Sequence, residues 1–409
     1  MEHHSFAHAT EQGMRQYHRL RRGVVSWLWI LWALAVADPA VAQNLLVGPF
    51  RMNLGFTAGA DFRDNANLSQ NHPKADVLLS VGPTLSGGVF LPFSGGEEFT
   101  LTVAATYSHS LTGAQSDSFG APLNATLVLP IYIAEWNVVL SDSFSFENDP
   151  LDSTFAVNRT RVAEYSNIAS ASATRQLGKF STTFAAQRTD DIFPSDPSQE
   201  ETDYQFSFTP AYFFREGYSV FIRNAYGISD LADPTLRDST GYSTQLGLNG
   251  QITKSLNGTI SLGWSHLDLA ATPTNGIDHI DGVSSQVAVN YMHPLRPNTT
   301  HTLTFFHDPG LTLGLKNSSI TAATGVNYII AHRLNRYMTL APSVGWTHLE
   351  SLSGSREIAD LVVVGVSLQR QFTKKLTGSF AYRYQTRSSN LSGQSYDVNE
   401  VTVNFNYTF

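Results

Sequence analysis

The side chains best suited to proton transfer or nucleophilic attack are few, and their spacing argues against both. Of the histidines, His109, His266, His307 and His348 fall near the loop side of alternating segments, and Ser110 directly follows His109. A Ser/His hydrolase needs the imidazole on the hydroxyl, a carboxylate or amide to orient it, and donors for the oxyanion. Adjacent residues of a strand point to opposite faces, so His109 and Ser110 cannot serve one substrate. HExxH, G-x-S-x-G and G-x-x-x-x-G-K-[ST] patterns do not occur. His3, His4, His8 and His18 crowd the N-terminus, in a stretch that reads as removed, and form no metal site. With zero cysteines, disulfides and thiolate metal, haem or redox centres are excluded. The expectation is a protein with no catalytic residues, no bound metal and no cofactor.

Charge points the same way. The chain has 409 residues, 15% charged and 11% aromatic, with Asp+Glu 34 against Lys+Arg 26. Charge this far below the ~25% of soluble domains, with an acidic balance, argues against nucleic acid as a partner, which needs a basic surface.

The N-terminus reads as a targeting segment. Arg19, Arg21 and Arg22 precede an apolar run from Val24 to Ala37, broken by Ser26 and ended by Asp38 and Pro39. The run is shorter than the ~18 residues a spanning helix needs, and Ala40-Val41-Ala42 offers the small-x-small pattern of a cleavage site. Residues 1–42 are therefore expected to be a signal peptide cleaved after Ala42, in preference to an N-terminal membrane anchor. Met14 is an alternative start. The domain that remains is 43–409.

Period two dominates the remainder. In the last strand Val401, Val403, Phe405, Tyr407 and Phe409 alternate with Thr402, Asn404, Asn406 and Thr408. The same alternation runs through Phe99 to Tyr107, Leu123 to Ile131, Tyr204 to Phe214 and further segments, about 18 in all, beginning near Met52. Connectors alternate short (IAE, QLGK, REG, TKSLN, HRLN, FTKK) with long (RDNANLSQNHPK, TDDIFPSDPSQEE). A soluble sandwich would bury its alternating faces in one core and would not need this rhythm. The fold class expected is all-β: a single up-and-down antiparallel transmembrane β-barrel of about 18 strands, with 16 to 18 as the range. Aromatics toward strand ends, among them Trp136, Phe144, Tyr218, Tyr226, Trp264, Trp346, Tyr384 and Tyr407, suit girdles at both headgroup layers.

The terminal NFNYTF, carrying Phe405, Tyr407 and Phe409, resembles the C-terminal insertion signal of bacterial outer-membrane barrels. FTAGADFRDNANLSQ from Phe56 and KADVLLSVGPTLS from Lys74, with Asp64, Asn65, Asp76 and Pro83, resemble the opening of the putative beta-barrel porin 2 family. LSDSFSFENDP and YSNIASASATRQLGKFSTTFAAQ look similar to its middle strands. The resemblance implies a porin of the bacterial outer membrane, with the barrel assembly machinery engaging the C-terminal strand and lipid and lipopolysaccharide as surroundings. Some members sit with exopolysaccharide export systems, which keeps export association, and a structural or adhesive barrel without transport, as alternatives.

If the odd positions of the last strand face lipid, the residues expected to line the pore are Thr57, Asp61, Gln245, Asn249, Gln286, Asn290, Arg383, Gln385, Arg387, Glu400 and Asn404. They make a neutral wall of hydroxyls and amides, suited to passive diffusion of small polar, mostly uncharged solutes, saccharides among them. Arg383 falls opposite Glu400 and is expected to pair with it in the lumen, with Arg387 and Asp397 near the mouth. Asp190, Asp191, Asp196, Glu200, Glu201 and Asp203 read as one acidic long loop, solvated in preference to holding divalent cations.

Overall fold

A computed structural model describes residues 45–47, 50–90, 98–114, 117–120, 123–147, 164–194, 200–231, 238–269, 279–294, 296–308, 321–351 and 357–409. The expected signal peptide and its cleavage site lie outside these residues.

Every regular element among the described residues is a strand. The first group is β1 Leu45–Val47, β2 Phe50–Arg63, β3 Asp76–Phe90, β4 Glu98–Ala104, β5 Thr106–Ser110, β6 Ser118–Gly120 and β7 Leu123–Ile133. Next come β8 Trp136–Glu147, β9 Glu164–Leu177, β10 Phe180–Ile192, β11 Glu201–Arg215, β12 Tyr218–Leu231, β13 Ser239–Thr253 and β14 Leu256–Leu269. The last are β15 His279–Met292, β16 Thr299–Asp308, β17 Thr321–Asn335, β18 Met338–Ser351, β19 Ile358–Gln371, β20 Leu376–Ser389 and β21 Tyr396–Thr408.

Sequential strands pair antiparallel, and β21 returns to β2 with Gly55 opposite Thr408 and Arg63 opposite Glu400, which closes the sheet. Ala105 interrupts one barrel strand, dividing it into β4 and β5. The Ala105 N–H donates to the Pro83 carbonyl at 3.0 Å, and Gly82 allows the bulge, since a Cβ there would strike the Ala105 carbonyl. β4 pairs with β7 and β5 with β6, so the closed barrel has 18 strands, with β1 an extra strand on the edge of β2. Closure removes the exposed edges that an open sheet would leave, and in lipid no other sheet satisfies its backbone.

Because paired residues share a face, each register carries the inside/outside assignment to the next strand. The apolar half of the period lies outside and stays exposed: Leu262 is 61% and Leu246 58% accessible. A soluble sandwich would bury these side chains, whereas a barrel presents them to lipid. The aromatics fall in two outer rows. Phe144, Tyr226, Trp264, Trp346 and Tyr384 lie eight positions beyond Trp136, Tyr218, Leu256, Met338 and Leu376, the first residues of their strands.

The short connectors sit at one rim. Ala134 (φ 53°), Gly178 (φ 60°) and Gly217 (φ 75°) take the left-handed conformation that tight turns demand. Two expectations are corrected. HRLN is not a turn: β17 runs through Asn335, and the reversal falls at Arg336–Tyr337, where Asn335 Oδ1 accepts the Tyr337 N–H at 2.9 Å. Asp190, Asp191, Glu201 and Asp203 are not loop residues, because the β10–β11 ladder extends to the Asp191–Glu201 pair.

Candidate functional site: lumen and mouth

The inner half of the period is dominated by small hydroxyls. Ser141 lies opposite Ser170, and their hydroxyls meet at 2.6 Å. Thr174 and Thr183 meet at 3.0 Å on the next ladder. On this same inner face lie Thr57 and Asp61 of β2, Gln245 and Asn249 of β13, Gln286 and Asn290 of β15, Arg383, Gln385 and Arg387 of β20, and Glu400 and Asn404 of β21. Gln245 Nε2 donates to Ser284 Oγ at 3.1 Å, and Asn290 Oδ1 accepts the Thr302 hydroxyl at 2.9 Å. Asn249 and Gln286 are exposed. These β13 and β15 amides are remote from the charged members of the set.

The charged members come together at the seam where the chain's first and last barrel strands meet. Arg383 Nε lies 2.8 Å from Glu400 Oε2, the expected pair. Arg63 joins it: Nη2 is 2.7 Å and Nε 3.0 Å from Glu400 Oε1, while Nε is 2.8 Å from Asp61 Oδ2. Asp61 Oδ1 also accepts the Thr402 hydroxyl at 3.3 Å. Sequence reasoning missed Arg63. Its signal was present, two positions past Asp61 on one face, but its carboxylate lies across the seam. Arg387 is buried and reaches Glu357 Oε1 at 2.9 Å and the Gln394 carbonyl at 2.6 Å. Gln385 donates to the Tyr396 hydroxyl at 2.6 Å. Asp397 is not beside Arg387: the register sets Arg387 opposite Tyr396, so Asp397 faces outward and takes the Tyr384 hydroxyl at 3.2 Å.

Above this network the β2–β3 connector, residues 64–75, folds in. Asp64 accepts the Asn399 N–H at 2.8 Å and its side-chain amide at 2.7 Å. Asn65 Nδ2 donates to the Asp397 and Ser69 carbonyls at 2.9 and 3.0 Å, and Gln70 Oε1 accepts the Gly393 N–H at 2.9 Å. Leu68 is 1% exposed and packs on Tyr396 and Val398, which occupy inner-face positions. The connector therefore covers one sector of the mouth from within. Asp76, where β3 begins, accepts the hydroxyls of Ser110 (2.7 and 2.8 Å) and Thr112 (2.8 Å). Beside it Asp117 lies outside the strands and takes His109 Nδ1 at 2.8 Å and the Ser110 N–H at 3.0 Å. The His109 hydrogen bond, and then the Ser110 N–H, hold the Asp117 carboxyl below its ordinary range. His109 and Ser110 thus turn to different carboxylates on opposite faces.

The wall is less neutral than the sequence implied. Asp191, Glu201 and Asp203 also take inner-face positions, on β10 and β11, with Glu201 accepting the Ser229 hydroxyl at 2.7 Å. Arg223 lies on the neighbouring β12, in line with Gln245 of β13.

A closed antiparallel barrel of 18 strands, apolar outside and hydroxyl-lined within, is a porin-like barrel of the bacterial outer membrane. Within that class, residues 220–409 match the family described as putative beta-barrel porin 2. The match falls on β12 to β21, not on the earlier segments, Phe56 onward, in which the resemblance was read. Among solved structures, the chain is similar to a BenF-like porin from Pseudomonas fluorescens Pf-5, at 12% identity over 88% of this chain and 99% of that one, with TM-score 0.48. It is also similar to Acinetobacter baumannii OccAB3, at 12% identity over 89% and 100%, TM-score 0.47. The outer membrane protein opdK from Pseudomonas aeruginosa shares 9% identity over 88% and 99%, TM-score 0.48. No curated protein matches the chain.

Proposed function

We propose that this protein is an outer-membrane channel for passive diffusion of small polar, mostly uncharged solutes, saccharides among them. The observation that carries the reading is the inner wall, built of serine, threonine, asparagine and glutamine inside a closed barrel of 18 strands. A barrel of ~16 to 18 strands leaves a water-filled passage, where ~8 strands would be filled by side chains. Hydroxyls and amides exchange hydrogen bonds with water and sugar hydroxyls alike, so a solute loses little on entering. Thr57, Asp61, Gln245, Asn249, Gln286, Asn290, Arg383, Gln385, Arg387, Glu400 and Asn404 are the proposed lining. Connector 64–75 narrows the mouth over the β20–β21–β2 sector. No catalytic step belongs to this reading. The mature chain begins at Gln43 after signal-peptide cleavage, and the outward Phe405 and Tyr407 with Phe409 present the assembly machinery with its recognition strand.

Planar-bilayer recording of refolded Gln43–Phe409 tests the reading, with heat-modifiable gel mobility confirming the barrel. Stable conductance steps, partly blocked by added oligosaccharide, are expected. A folded barrel without conductance would overturn the channel.

A further inference from the structure

The outer wall is not uniform around its circumference. Six positions beyond the first residue of β8, β10, β12, β14, β16 and β18 stand Asp142, Ala186, Asn224, Leu262, Phe305 and Val344, all at one height above the short-turn rim. Three are apolar and bulky. The other three are a carboxylate, a methyl and an amide, and they are consecutive. Asp142 is exposed, and its ladder partners Leu127 and Ala169 fix it on the outer face. Two positions higher the layer is Phe, Tyr or Trp, except that β10 carries Arg188 and β16 carries His307.

The register ties these exceptions together. Asp142 pairs with Ala169, and Ala169 pairs with Arg188, so an acid and a base stand on either side of one alanine, about 10 Å apart at two strand spacings. Arg188 lies over the Tyr204 ring at 5.6 Å and gives Nε and Nη2 to Asp190 Oδ1 at 3.1 and 2.8 Å, yet remains 53% exposed. Beside this row Ala171, Ala173 and Ala186 leave a concavity of ≈ 550 Å³ bounded by Phe184, Phe206 and Phe208. A charge on the lipid face of a barrel is destabilising, while small residues let a second wall approach closely.

We propose that this arc of β8 to β12 is the contact face for a second copy of this chain. The charge pattern selects that occupant. With a two-fold axis parallel to the membrane normal and passing near Ala169, Asp142 of each copy faces Arg188 of the other, so both ion pairs form at once, as a self-complementary interface requires. Arg188 stands roughly 5 Å higher than Asp142, two tilted residues, within the reach of its side chain. A lipid phosphate would suit Arg188 alone and would be repelled by Asp142, and an acyl chain would suit neither.

The chain contains no cysteine, so disulfide mapping in intact outer membranes reads the contact directly. Ala169→Cys should give an oxidised dimer at least tenfold above Val364→Cys, which lies on the outer face of β19 away from the arc. Co-expressed, differently tagged D142C and R188C chains should cross-link to each other, and D142C alone should not. Each variant is first checked for heat-modifiable mobility, and Ala171→Cys replaces A169C if the latter fails to insert. Cross-linking no stronger than V364C, or D142C dimers as abundant as the mixed pair, would overturn the proposal.

Discussion

Glu400 holds two guanidinium groups from separate strands, and at this scale the seam of the barrel is an electrostatic lock. Glu400 and Arg63 are both buried, so Glu400→Gln removes the carboxylate that Arg63 and Arg383 share and leaves Arg63 with Asp61. A loss of roughly 1–3 kcal/mol is expected, held to that range by water in the lumen, and urea unfolding followed by tryptophan fluorescence measures it. Arg383→Ala should cost less, because Arg383 is the more exposed partner. The exposed Asp117–His109 contact is weaker and pH-dependent. Since the folded state lowers the Asp117 pKa, its contribution is complete above the ordinary carboxylate value of 3.8 and is lost as pH falls below it through the lowered one. His109→Ala removes the largest cause, so the Asp117 midpoint, followed by NMR titration, should rise toward 3.8.

Connector 64–75 is, among the described residues, an element that folds over the mouth from within. Its backbone is held by Asp64 on Asn399 and by Asn65 on the Asp397 carbonyl, and its one large apolar side chain, Leu68, is covered. Replacing Asn65–Pro73 with a short Gly-Ser link should raise single-channel conductance roughly 1.5-fold or more, since flux follows the narrowest section. An unchanged conductance would place the connector outside the ion path. None of this inward folding was legible in RDNANLSQNHPK, which is polar throughout except for Ala66, Leu68 and Pro73. Leu68 finds apolar partners only because β21 lies beside β2, and the Asp64–Asn399 bond joins residues 335 positions apart. Strand parity, by contrast, was legible, because each greasy residue stands between two polar ones and a one-residue slip would reverse every face.

Across the whole molecule the inner-face acids of the described residues, Asp61, Asp76, Asp191, Glu201, Asp203, Asp308 and Glu400, outnumber Arg63, Arg223, Arg333, Arg383 and Arg387. The arginines at the seam are paired, while the β10–β11 carboxylates stand together. A salt gradient across a bilayer should therefore give a reversal potential of cation-preferring sign, with a permeability ratio of roughly 2 to 5 that falls at high salt. Anion preference would show that the β10–β11 acids lie out of the ion path. Such a mild bias is compatible with uncharged solutes as the main traffic.

The sequence by itself determined the class of fold, because period-two alternation joined to a regular short/long connector rhythm suits a closed sheet in lipid and not a sandwich, and strand count follows from that rhythm. It also placed residues such as Gln245, Asn290 and Arg383 on the polar half of the period, since parity is a local property. The tertiary structure alone decided what depends on closure and register between strands distant in the chain. Those are the company Arg63 and Arg383 keep at Glu400, the outward turn of Asp397, and the seat of Leu68 over the lumen. The row Asp142–Ala169–Arg188 belongs with them. The physical reason is common to all: facing is set by neighbours one residue away, whereas contact is set by which residues closure of the barrel brings opposite one another.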